Sequence, residues 1–299
     1  MFDGALDYFQ SSLGLDVDDG LLVQVNNKGY LLGPTSLPLP PSNTSAAKQM
    51  RVVAGLMMLA KALVTHIFKS TYMTKSHEFD KVLSLIAQQH PLQESFVRAA
   101  LLRALPDTQK KVQEESVDKV VQEVSKAVGP WLQNEQAFVA GLRQVCDRAS
   151  ITWALLQRVE ERIWPDVNFQ LPEDWLPLPI SRHAPIRPSS QNNQRSVLPS
   201  GGNDSSTLVS SDVVGVVWPA FFAHDLQEPE SVDTPPLDLL FHGYVLTRTQ
   251  IKPAEDETSE SSQRLARRSM RRAAEVAPRK RKDSGVFLTN GSSSTLDSK

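Results

Sequence analysis

The C-terminal half folds around two stretches, Val213-Val-Gly-Val-Val-Trp-Pro-Ala-Phe-Phe222 and Leu239-Leu-Phe-His-Gly-Tyr-Val-Leu-Thr247. Each run is rich in β-branched and aromatic residues and is bounded by Asp, Pro or a charged residue, a pattern typical of a β-strand. An acidic, Pro-containing segment, residues 224–236, separates them. We therefore expect two strands and a small β element here. Neither run carries a motif that indicates catalysis.

Upstream of these strands, residues 42–163 carry apolar side chains at the three-and-four spacing of amphipathic helices. Polar residues at 42–45 are suited to cap the first helix, Pro91 and Pro106 to begin later ones, and Gly129-Pro130 to end one. A last helix is expected from Asn134 to about Ile163. The spacing predicts an apolar inner stripe on each of four helices. The stripes are Phe79, Val82, Leu83 and Ile86; Phe96, Val97, Ala100 and Leu101; the valines from Val112 to Val128; and Phe138, Leu142, Val145, Ala149, Trp153 and Leu156.

The predicted fold is mostly α, a multi-helix bundle with a small β element. Residues 1–41 hold a short helix over 3–13, a hairpin whose strands 21–25 and 30–32 flank Asn26-Asn-Lys-Gly29, and a Pro-rich linker. Residues 42–134 form a helical region, and residues 135–252 a C-terminal domain with a mobile loop at 189–211. Hydrophobicity collapses from Pro253 onward, so residues 253–299 are predicted to be a disordered basic tail.

Enzymatic chemistry has little support in the sequence. The single cysteine, Cys146, fits a small buried position on a helix and suits a reducing compartment. The chain has no phosphate-cradling glycine motif, no nucleophile elbow and no zinc-ligand spacing. His224, Asp225 and His242 would come together only if the two strands pair, and we expect a polar loop there. We predict no enzyme, no cofactor, no metal and no small-molecule substrate.

A basic run is the one clear electrostatic feature of a chain whose net charge is only −2. It resembles a bipartite nuclear-localisation signal, and it is equally suited to anionic lipid, at about 1 kcal/mol per basic residue near the membrane surface. A third interpretation is that the basic run is a solvated, charged segment of the tail without a binding role, beside the acidic residues 255–260. The candidate lipid or import contacts are Arg267, Arg268, Arg271, Arg272, Arg279, Lys280, Arg281 and Lys282.

The order of features over residues 135–250 resembles the C-terminal domain of the mitochondria-eating protein family. Cys146 precedes Trp153 on one helix, Val217-Trp-Pro-Ala-Phe221 follows, and His242-Gly-Tyr-Val-Leu-Thr247 ends the pattern. Phe221 stands where the family has Leu, and His242 where it has Lys. The family's long preceding coiled coil is not evident here. The signature residues are Trp153, Val217, Trp218, Pro219, Ala220, Gly243 and Thr247, and we expect them to be structural, with Trp218 against the helix that carries Phe138 and Trp153.

The resemblance implies a cytoplasmic, non-enzymatic protein that acts in mitochondrial quality control, or mitophagy. Its implied partner is the mitochondrial outer membrane or an anionic lipid such as cardiolipin. The alternative is a scaffold or regulatory interaction protein that enters the nucleus through its basic tail.

Overall fold

The computed structural model describes residues 1–17, 37–73, 78–180, 208–224 and 237–276. The predicted N-terminal hairpin and most of the predicted mobile loop lie outside these ranges. The described residues are mostly helical with a small β element, as predicted. Their helices are α1 (Phe2–Leu13), α2 (Ser45–His66), α3 (Glu78–Gln89), α4 (Pro91–Arg103), α5 (Pro106–Val128), α6 (Glu135–Leu156) and α7 (Arg248–Val276).

Most helix boundaries follow the signals in the sequence. The Thr44 hydroxyl accepts a hydrogen bond from the Ala47 N–H at 3.2 Å, and the Asn134 side chain accepts one from the Ala137 N–H at 3.0 Å. Each bond satisfies a backbone donor that the first turn of a helix leaves free. Pro91 and Pro106 occupy first turns, where a missing N–H costs nothing. Helix α6 ends at Leu156 rather than near Ile163, which begins a strand.

The β element consists of two three-stranded sheets. The strands are β1 (Ile163–Asp166), β2 (Trp175–Pro177), β3 (Val213–Trp218), β4 (Ala220–His224), β5 (Leu237–Phe241) and β6 (Gly243–Thr247). One sheet has the antiparallel order β1-β4-β5; the other has the order β2-β6-β3, with β2 parallel to β6. The prediction of two C-terminal strands is therefore wrong in number. The first predicted strand is divided into β3 and β4, and the second into β5 and β6.

The core lies among α1, α2, α5 and α6, with β3 packed on α2. The valine stripe of α5 is buried from Val112 to Val128, as predicted. Gly55 lets α1 approach α2, because a Cβ there would lie 2.5 Å from the Phe9 ring. None of the helices within the described ranges is long and apolar enough to cross a bilayer.

The prediction that disorder begins at Pro253 is wrong for residues 253–276, which belong to α7. The first turns of α7 are fixed by tertiary contacts that a hydrophobicity average does not detect. Ile251 and Ala254 are buried in the main core, and the Thr44 hydroxyl donates a 2.6 Å hydrogen bond to Glu257. Residues Met1–Thr258 form one compact unit, and the rest of α7 belongs to a second.

One predicted inner stripe is right in part and another is wrong. On α3, Leu83 is buried and Phe79 and Ile86 are half-buried, as predicted, whereas Val82 is exposed. On α4 the buried residues are Glu94 and Arg98, whereas Phe96 is 75% exposed. Helix α4 thus buries a polar face and leaves an aromatic ring in solvent.

Candidate functional site

The two halves of the signature meet where the chain changes sheets. Pro219 is the single residue between β3 and β4, and His242 is the single residue between β5 and β6. At each point the chain leaves one three-stranded sheet and enters the other. Proline cannot donate to a β-ladder, which is consistent with the break between β3 and β4 at Pro219. The signature therefore marks a corner between the two sheets, where both segments of the chain pass from one sheet to the other.

Trp218 fills the interior of this corner and is 1% exposed. Its ring meets the ring of Phe2 edge-on, with centroids 5.5 Å apart, and Phe2 in turn stacks on Tyr244 at 4.1 Å. Two other rings approach Trp153, namely Phe68, with centroids 4.9 Å apart, and Phe221, at 6.2 Å. Trp218 thus makes its ring contact with α1, and it belongs to the same buried cluster as Phe138 and Trp153 of α6.

Gly243 is required by close packing. A Cβ at this position would overlap the ring of Trp175 and would lie 2.9 Å from the Ala220 backbone nitrogen. The missing side chain thus allows the start of β6 to lie close to the backbone at the start of β4. Any side chain here would push the two sheets apart at their corner.

The remaining signature residues also serve the fold. The Trp153 indole N–H donates a 2.7 Å hydrogen bond to the Lys69 carbonyl, which ties α6 to the end of α2. The Thr247 N–H donates to the Gln250 side chain at 3.0 Å and so opens α7. All seven signature residues are buried. They hold the domain together and present no surface to a partner.

Two candidate chemical groups do not assemble. His224 pairs with Leu237 at one end of the β4–β5 ladder. Phe241 pairs with Phe221 at the other end, and His242 follows Phe241 in the sequence. The pairing of these strands therefore separates the two histidines, and Asp225 lies outside the described residues. In the ranges that the structure covers, no three His, Cys, Asp or Glu side chains are grouped as metal ligands would be.

Cys146 lies on the buried side of α6 and is fully buried in the core. Burial raises the pKa of its thiol to about 12, and the charge of the neighbouring Asp147 acts in the same direction. A thiol is nucleophilic only as the thiolate. Near neutral pH this one is protonated and shielded from substrates.

Sequence reasoning missed a buried cluster of charges at the end of α6. Arg98 is paired with Glu94 at 3.0 Å and donates to the carbonyls of Val159 and Glu160, both at 2.9 Å. Arg162 donates to the Ser84 hydroxyl at 2.7 Å, and burial lowers the pKa of its guanidinium. The cavity at this cluster is only about 10 Å³, room for no more than one water. These charges fasten α3, α4 and α6 together rather than bind a ligand.

A larger cavity of about 570 Å³ lies between α1 and α2, beside Ile180. Its size is that of a small-molecule pocket. The floor is apolar, and the one cation at its edge, Lys48, is paired with Asp16 at 2.6 Å. The described lining residues are apolar side chains, amides, a hydroxyl and this paired lysine, which do not specify a particular ligand.

The basic residues from Arg264 to Arg272 lie on the second half of α7. Their positions, 264, 267, 268, 271 and 272, follow the helical steps of three and four, so they share one face over an arc of about 140°. Arg264 and Arg267 are exposed, and Arg264 pairs with Glu260 at 3.3 Å. The helical backbone thus gathers arginines that the predicted disordered tail would have left scattered. Arg279, Lys280, Arg281 and Lys282 lie outside the described residues.

Comparison with known proteins adds no relative to these observations. No family model matches this chain, and neither a curated protein nor a solved structure matches it significantly.

Proposed function

We propose that this chain is a non-enzymatic protein of mitochondrial quality control, which associates with mitochondria by binding anionic lipid such as cardiolipin. The observation that carries the proposal is the arginine face of α7, defined by Arg264, Arg267, Arg268, Arg271 and Arg272. The mitochondrial destination rests on the resemblance of residues 135–250 to the mitochondria-eating protein family.

The spacing of the arginine face suits a membrane surface. A helix that lies on a bilayer has cations on its polar face and apolar residues opposite. The positions opposite the arginines carry Ala266, Ser269, Met270, Ala273 and Val276, and one acid, Glu275, falls within the arginine arc. Each cation near an anionic surface contributes about 1 kcal/mol, and the attraction fades beyond a Debye length of about 8 Å at physiological salt.

The two halves of α7 have opposite charge. Glu255, Asp256, Glu257 and Glu260 precede the arginine face. Glu257 accepts a hydrogen bond from Thr44 within the compact unit, so the acidic residues up to Glu257 belong to that unit. An anionic surface would repel this half and attract the arginine face, which supports a contact limited to the distal half of the helix.

Vesicle flotation tests the lipid proposal. We expect the full chain to float with vesicles of phosphatidylcholine and cardiolipin and not with phosphatidylcholine alone. Replacement of Arg267, Arg268, Arg271 and Arg272 by Gln should reduce the bound fraction at least tenfold, and so should 0.5 M salt. A matched control replaces four exposed cations of the compact unit by Gln, namely Lys110, Lys111, Lys126 and Arg148. Equal loss in both variants, or no flotation of the wild type, would overturn the proposal.

Nuclear import by the same tail is the second candidate, because the run 279–282 follows α7 directly in the sequence. Fluorescently tagged full-length variants separate the two candidates. If import is the function, replacement of residues 279–282 by Gln should abolish a nuclear signal and leave flotation intact. Loss of a mitochondrial signal only in the arginine-face variant supports lipid binding. Truncation should spare residues before Ser259, because Ala254 is part of the core.

A further inference from the structure

The helical pair α3–α4 carries an exposed apolar surface, which we call the hairpin face. It is defined by Val82 and Leu85 on α3 and by Leu92 and Phe96 on α4, all exposed. With a rise of 1.5 Å per residue, Leu85 and Phe96 lie at similar distances from the turn at His90. The exposed side of α4 continues with Ala99 and Ala100. Large apolar residues grouped in this way mark an interaction site more often than ordinary surface.

The exposure of Phe96 is imposed by the opposite side of α4. Glu94 is fully buried, and the Arg98 guanidinium also donates to the carbonyl of Gln157, beyond the end of α6. Turning α4 to bury Phe96 would withdraw Arg98 from these carbonyls and leave one buried group, the Gln157 carbonyl, without its donor. Such a loss costs about 1–3 kcal/mol. The fold therefore keeps the ring outside at equilibrium.

The centre of the hairpin face has no exposed formal charge, and the exposed cations Lys81 and Arg103 lie at its border. Between Lys81 and Arg103 the only charged residues are Glu94 and Arg98, and both are buried and paired with each other. The exposed polar residues among the apolar ones include Gln88, Gln89 and Gln93. Depletion of charge with retention of an aromatic residue distinguishes the core of a protein interface from ordinary surface.

We propose that a second copy of this chain packs on the hairpin face, so that two α3–α4 pairs form a four-helix interface around a two-fold axis near Phe96. An isologous interface opposes each patch to itself, and an uncharged patch meets no like charge there. If the two α4 helices run antiparallel, Arg103 of one copy lies near the turn of the other, away from its own counterpart. A contact with anionic lipid would instead need cations on this face.

The size of the face predicts reversible association. Helices of 12 and 13 residues are about 18–20 Å long, and two side by side are about 20 Å wide, which gives a footprint of about 400 Å² per copy. A stable interface buries about 800 Å² per partner. The dimer should therefore form at micromolar or higher concentration. This inference is independent of the lipid proposal.

Sedimentation equilibrium of the full chain between about 1 and 200 μM tests it. We expect a monomer–dimer equilibrium that Phe96→Asp weakens at least tenfold. Leu171→Asp, a matched change at an exposed residue outside the hairpin, should leave the equilibrium unchanged. Circular dichroism and urea unfolding verify that both variants are folded. A wild type that stays monomeric, or a dimer that ignores Phe96→Asp, would overturn the inference.

Two variants of opposite charge at residue 96 test the position of the proposed two-fold axis. Because residue 96 faces its own counterpart, Phe96→Asp and Phe96→Lys should each be monomeric alone and should dimerise when mixed. Failure of the mixture to dimerise would refute the two-fold axis near Phe96. If Phe96→Asp lowers vesicle flotation and leaves sedimentation unchanged, the hairpin face is a membrane surface and the second-copy proposal is wrong.

Discussion

The sheet corner and α4 bury opposite kinds of side chain. At the corner, Trp218, Val217 and Gly243 lie inside, and the exposed residue is His242. In α4, Glu94 and Arg98 lie inside, and Phe96 lies outside. The corner follows the usual preference of apolar groups for the interior, and α4 reverses it.

This difference separates residues that hold the fold from residues that are available to partners. A buried tryptophan contributes to stability through the apolar area it removes from water. An exposed phenylalanine contributes little to stability, and its apolar area remains available to a binding partner. The recognisable signature is therefore buried and cannot contact a partner. The surfaces for which we propose binding partners are the hairpin face and the arginine face.

The largest effect should come from Trp218→Ala. Removal of the ring leaves a cavity against Phe2, and such truncations cost about 3–5 kcal/mol. Urea unfolding followed by circular dichroism measures the loss. A change below about 1 kcal/mol would mean that Trp218 is not a core residue and that the sheet corner does not depend on buried apolar side chains.

Helix α4 can be tested by breaking its buried ion pair. Arg98→Met should cost about 3 kcal/mol, since Glu94 is left buried without its partner. The double variant Glu94→Leu with Arg98→Met should be more stable than Arg98→Met alone by at least about 1 kcal/mol. Additive losses in this cycle would show that the two residues do not depend on each other.

Gly243→Ala should cost about 2 kcal/mol, because the new methyl group overlaps Trp175 and overpacking is destabilising. Gly129→Ala is the matched control, since a Cβ there meets nothing within 4 Å. The melting temperatures of the two variants should therefore differ. Equal melting temperatures would mean that the sheet corner tolerates a wider spacing than we describe.

Much of the helical architecture could be predicted from the sequence, because caps and prolines act locally. Thr44, Asn134 and Pro106 mark helix starts by satisfying or removing a single backbone donor. Strands β1 and β2 were missed because each has only three or four residues, contains a proline and takes its hydrogen bonds from distant chain. Both are edge strands, where proline is tolerated.

The candidate surfaces were predicted less well. Helical spacing places Phe96, Val97, Ala100 and Leu101 together, but spacing alone does not say which face turns inward. On α4 that choice is made by Arg98, whose carbonyl partners lie some 60 residues away in the sequence. The arginine face was not predicted for a similar reason, since the first turns of α7 are held by the packing of Ile251 and Ala254 in the core. Long-range polar contacts leave no local pattern.

A smaller effect should appear at alkaline pH. The pKa of the Cys146 thiol is about 12 in the folded chain and about 8.5 when exposed. The unfolded state therefore loses its proton first, and the stability that burial of the neutral thiol provides is lost as pH rises from about 9 to 12. The difference in unfolding free energy between the wild type and Cys146→Ala should shrink over this range. A constant difference would indicate that the thiol is exposed.

The free energy of unfolding of Phe96→Ser is the most direct test of the reversed burial in α4. It should be measured in urea at a concentration well below that at which dimers form. We predict a value within about 0.5 kcal/mol of the wild type, as for other exposed positions. A loss of 2 kcal/mol or more would place Phe96 in the core and contradict the account.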